Sequence, residues 1–93
     1  MRMKVSDFLN DESKWCQNYG ALNIDSYGTA PTSSAAVRWC IMGAAAVCEY
    51  TREEFVDLKT KTDKTTGGEI VLWQDAPERK FAEVRRLLQE AGH

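Results

Sequence analysis

Apolar positions recur at a spacing that changes from segment to segment. Val5, Phe8, Leu9, Trp15, Cys16 and Tyr19 fall near helical spacing, predicting a first helix from residue 5 to about 19. Ser6 or Asp7 can cap its start and Gly20 its end. Residues 21–34 hold few large apolar groups, and Asp25-Ser26-Tyr27-Gly28 has turn chemistry, so this stretch reads as a connection with weak extended character. A second helix is expected over about 35–50. Val37, Cys40, Ile41, Ala44, Val47 and Cys48 lie at i, i+3, i+4, i+7, i+10 and i+11. Gly43, among alanines, makes a smooth surface on which another backbone can sit closely.

The spacing of Thr51 and Glu54 is that of a capping box, opening a short third helix from 52 to about 59. Residues 60–68 are polar and read as the most mobile loop. Glu69-Ile70-Val71-Leu72-Trp73 has strand character. It either pairs with the 21–27 region in a two-stranded ribbon or lies as an extended segment over the helices. The last helix opens at Asp75, with Pro77 in its first turn, and buries Phe81, Val84, Leu88 and Ala91. These elements predict a mainly α, compact single domain over residues 1–93, with about four helices and a short extended segment at 69–73.

Two stretches echo each other: Lys14-Trp15-Cys16 with Gly20-Ala21, and Arg38-Trp39-Cys40 with Gly43-Ala44. The gap between Cys and Gly differs, and two unequal copies make no array.

Length and charge narrow the class. Ninety-three residues fill one small core. Twelve Lys and Arg against fourteen Asp and Glu give a net charge of −2, neither a basic nucleic-acid wrapper nor an acidic mimic of DNA. The N-terminus lacks the apolar stretch of a secretory signal, and the ten-residue apolar run from Trp39 to Cys48 falls short of a bilayer span, so a cytoplasmic, non-membrane domain is expected. Cys16, Cys40 and Cys48 are an odd set, expected to be reduced and packed as small hydrophobes.

Catalytic chemistry finds little purchase. A cysteine nucleophile needs a nearby base, and the one imidazole is His93, at a terminus expected to fray. No Cys-x-x-Cys, no histidine pair and no phosphate-binding glycine loop is present, so no catalytic residue, metal or cofactor is expected. Arg79, Lys80, Arg85 and Arg86 on the last helix would offer phosphates a basic face, with Trp73 to stack a base, but Glu78, Glu83 and Glu90 interleave with them. Trp15 and Trp39 sit at core positions. Trp73 lies between an apolar run and a polar turn, where core and interface are both open to it.

The chain also resembles a family of small bacterial and phage proteins of unknown function. The resemblance rests on Trp15 with Gln17, on Asp25 to Gly28, and on Ala36-Val37-Arg38-Trp39-Cys40 with Gly43-Ala44. It continues through Trp73-Gln74-Asp75 with Pro77, where the family usually has Asn in place of Gln74, and through Glu83-Val84 and Leu87-Leu88. It implies a mostly helical cytoplasmic domain and brings no activity, cofactor or catalytic residue.

The reading that follows is a non-enzymatic protein–protein interaction domain, phage-derived and acting on a host or defence protein. Trp73, Asp75, Arg79 and Lys80 form its expected surface. The alternative is a nucleic-acid-associated regulator using the last helix, and an enzyme ranks third. The pattern leaves the partner and the oligomeric state open.

Overall fold

A computed structural model describes residues 3–93. Among them are five α-helices, a 3-10 turn and one two-stranded antiparallel sheet, a mainly α single small domain. The order is α1 (Val5–Phe8), the 3-10 turn (Glu12–Lys14), β1 (Ala21–Leu22), β2 (Arg38–Trp39), α2 (Ile41–Val47), α3 (Arg52–Thr66), α4 (Ile70–Gln74) and α5 (Phe81–Glu90). Val5, Leu9, Ile41, Ala44, Cys48, Leu58, Ile70, Val84 and Leu88 are buried in one core shared by all five helices.

The first expected helix stops at Phe8. Asp11 accepts the Ser13 backbone N–H at 3.0 Å and turns the chain into the 3-10 segment, so the polar stretch Asn10-Asp11-Glu12-Ser13 follows an early end to the helix. Trp15 instead pairs with Trp39 in a parallel bridge.

The second expected helix begins at residue 41, not 35, because the preceding backbone is already engaged in pairing. Val37 N–H donates to Leu22 O at 2.9 Å, and Cys40 N–H donates to Gly20 O at 3.2 Å. Ala21 pairs with Trp39 and Leu22 with Arg38, so the ribbon does use the 21–27 region, but its partner is β2 and not residues 69–73. Gly43 packs where a Cβ would lie 1.9 Å from Gly20 O, the close backbone approach its sequence setting predicts.

Residues 60–68, expected as a loop, continue α3 through Thr66. The Thr62, Thr65 and Thr66 hydroxyls donate to the carbonyls of Leu58, Lys61 and Thr62 at 2.7–2.9 Å, so these side chains satisfy themselves within the helix. Thr62 is wholly buried and completes a stripe with Phe55 and Leu58. The capping box at Thr51 and Glu54 forms as its spacing predicts, at 2.8 and 3.2 Å. Gly67 closes the helix at φ 76°, in the left-handed region glycine tolerates.

The expected strand at 69–73 is helix α4. Asp63, at the end of α3, accepts the Ile70 N–H at 2.7 Å and starts a new helical turn. Ile70, Trp73 and Gln74 then fall at i, i+3 and i+4 and turn inward together. Tertiary packing overrides the strand preference of Ile70 and Val71. Asp75 consequently ends α4 instead of opening the last helix. α5 starts at Phe81, where Glu83 accepts the Lys80 N–H at 2.9 Å.

Candidate functional site

α4 is five residues long and carries four large apolar side chains, of which only Ile70 is fully buried. Leu72 is 71% exposed and Val71 40% exposed, while Trp73 is half-buried. The helix therefore stands as an apolar ridge. On one side a depression of about 410 Å³ is walled by Trp73, Thr65, Thr66, Glu83 and Arg86. On the other a depression of about 130 Å³ is walled by Val71, Asn18, Tyr19, Cys40 and Asp75. Tyr19, also more than half exposed, faces the ridge across the smaller depression.

The four residues expected to form one surface divide between the two sides of this ridge. Arg79 lies 3.9 Å over the Trp73 ring, donates from Nε to Trp73 O at 2.9 Å, and pairs with Glu83 at 2.9 Å. It caps the free carbonyl end of α4 and fixes the indole by a cation–π contact. Asp75 faces the other side, where its Oδ1 accepts the Asn18 N–H at 2.9 Å and the Gln74 Nε2–H at 2.8 Å. Lys80 sits at the mouth of α5 as its N-terminal cap position. Trp73 is thus part core and part surface, and Arg79 and Asp75 work on the ridge by holding its backbone.

Gln74 has a larger part than its sequence context shows. Its buried Oε1 accepts the Ile41 N–H at 2.6 Å, tying α4 to the first turn of α2. Gln17 clamps the C-terminal end of the same helix, donating from Nε2 to Gln74 O at 2.7 Å and Ala76 O at 2.8 Å. The motif residues Gln17, Gln74 and Asp75 therefore fix how α4 is presented.

The basic face of α5 is partly neutralised along its own surface. Besides the Arg79–Glu83 pair, Arg86 pairs with Glu90 at 3.5 Å.

His93 corrects the picture of a frayed end. It is buried, its N–H donates to Leu88 O at 2.8 Å, and its carbonyl accepts the Ser6 N–H at 2.7 Å. Its Nε2 is 2.8 Å from Asp57 Oδ2, and its Nδ1 is 2.8 Å from the Tyr50 hydroxyl. An ionised carboxylate only accepts, so the Nε2 facing Asp57 carries a proton. The His93 hydrogen bond, then that from Lys61, holds the Asp57 carboxyl below the usual aspartate range.

All three cysteines are free thiols, and burial raises all three, Cys16 to about 11. Cys40 is only partly buried and caps α2, its sulfur accepting the Gly43 N–H at 3.3 Å. No group of three or more His, Cys, Asp or Glu side chains suited to a metal ion occurs among the described residues. No helix of the described residues is long and apolar enough to cross a membrane.

The model of DUF6197, a family of unknown function, matches residues 3–93. The chain belongs to this family. No curated protein and no solved structure matches it. In this DUF6197 member the Trp73-Gln74-Asp75 segment, together with Gln17, builds and anchors the α4 ridge.

Proposed function

We propose that this DUF6197 member is a small non-enzymatic domain that binds another protein through the α4 ridge. The observation that carries this reading is Leu72, 71% exposed on a helix whose ends are held by Asp63, Gln17 and Arg79. An apolar side chain on a rigid, anchored element presents area to a partner at little ordering cost. Trp73 on the same helix, and Tyr19 across the smaller depression from Val71, are of the residue type that dominates protein–protein contacts. The depressions on either side would receive side chains from a partner whose own surface is apolar at the centre.

The test is affinity capture with the wild-type chain and with Leu72→Lys, each band identified by mass spectrometry. Leu72 is largely exposed, so the variant should melt as the wild type does. A discrete protein retained by the wild type and lost from Leu72→Lys is expected. Retention of the same proteins by both chains would exclude the ridge as the binding surface.

A further inference from the structure

The two Trp-Cys dipeptides that echo each other in the sequence lie side by side in the fold. Trp15 and Trp39 form a parallel bridge, with Cys16 N–H donating to Trp39 O at 3.0 Å. This register carries Cys16 and Cys40 onto neighbouring positions of adjacent chains. The two thiols are near enough for the charge of one to bear on the other, and a disulfide between them requires Cα atoms roughly 4.4–6.8 Å apart.

The two thiols differ in access. Cys40 lines the depression of about 130 Å³ beside Val71 and Tyr19 and is the outer one. Cys16 is buried, and its thiol donates to Tyr19 O at 3.6 Å. Burial raises the Cys40 thiol, and the Gly43 N–H directed at its sulfur offsets part of that rise. Cys48 lies wholly buried at the far end of α2, out of the arrangement.

We propose that Cys16 and Cys40 form a thiol–disulfide exchange site whose substrate is a low-molecular-weight disulfide. The Cys40 thiol releases its proton and attacks one sulfur of the small disulfide. The S–S bond breaks, and one half leaves and takes up a proton as a thiol. The Cys16 thiol, deprotonated in turn, attacks the Cys40 sulfur and expels the second half, which is also protonated. Two cysteines are oxidised to one disulfide, and one small disulfide is reduced to two thiols. Burial, which disfavours both thiolates, makes them poor leaving groups and holds the product in the oxidised form.

The test uses the folded wild-type chain incubated with glutathione disulfide, quenched with acid, then denatured and alkylated. Intact mass should fall by two hydrogens before alkylation, and only one cysteine should then alkylate. Peptide mapping should join the Cys16 peptide to the Cys40 peptide, and Cys48→Ser should also lose two hydrogens but leave no cysteine to alkylate. Cys16→Ser, if it folds, should stop at a glutathione adduct on Cys40. Three alkylated cysteines, a cross-link through Cys48, a Cys40 adduct that never closes in the wild type, or closure only in denaturant would overturn the proposal.

Discussion

Single side chains decide how two backbones meet in this small core. Gln74 is the clearest case, because its carbonyl oxygen is the partner of the buried Ile41 N–H. Gln74→Ala removes that partner and leaves the donor dry. We expect a loss of about 1–3 kcal/mol, read from urea unfolding curves. Gly43→Ala would drive a methyl group into Gly20 O, where backbone and not a pliable side chain must give way. A loss of about 1–3 kcal/mol is expected, with the unfolding slope unchanged. The need for a small residue at Gly43 was legible in the alanine-rich run around it. The role of Gln74 was not: its inward direction depends on Ile70 and Trp73 sharing a helical face, and strand periodicity turns that face away.

At the scale of elements, local signals with a defined chemistry came through, and signals of composition did not. The Thr51–Glu54 box is a short-range hydrogen-bond pattern and forms as its spacing predicts. Thr51→Ala should cost about 1 kcal/mol and lower the helical signal in circular dichroism on mild heating. Residues 60–66 look like loop because they hold only Thr, Lys and Asp, yet Thr62 packs into the core and the hydroxyls bond within the helix. The ridge was hidden for a related reason. α4 is nucleated by Asp63, seven residues before Ile70, a tertiary contact no local pattern contains. Asp63→Ala should therefore speed hydrogen exchange of the Ile70 to Gln74 amides while leaving the first turns of α3 unchanged. Exchange that rises equally in both regions would show that α4 does not depend on this contact.

At the scale of the whole fold, His93 ties α1 and α3 to the end of α5. His93 binds Ser6, Tyr50 and Asp57 at once, so α1, α3 and α5 are locked together at one end of the core. This sets a direction for the response to acid. Asp57 is lowered on folding, first by His93 and then by Lys61. Its contribution is complete above its unfolded value of about 3.9 and fades as pH falls through the lower folded value. Asp57→Asn should thus be less stable than the wild type near neutral pH and converge with it in acid, as followed by thermal melting. The tie at His93 was beyond the reach of sequence pattern, since three distant segments create it. The same holds for the ridge, whose two flanking depressions bring together Tyr19, Cys40, Thr65, Val71, Trp73 and Glu83 from distant parts of the sequence. The most direct measurement is site-specific photo-crosslinking in cells, with a photoreactive side chain at position 72 and, as a control, at exposed position 53. A binding ridge on α4 predicts a discrete covalent adduct to another protein from position 72 and none from position 53. No adduct at 72, or the same adducts at both positions, would contradict it.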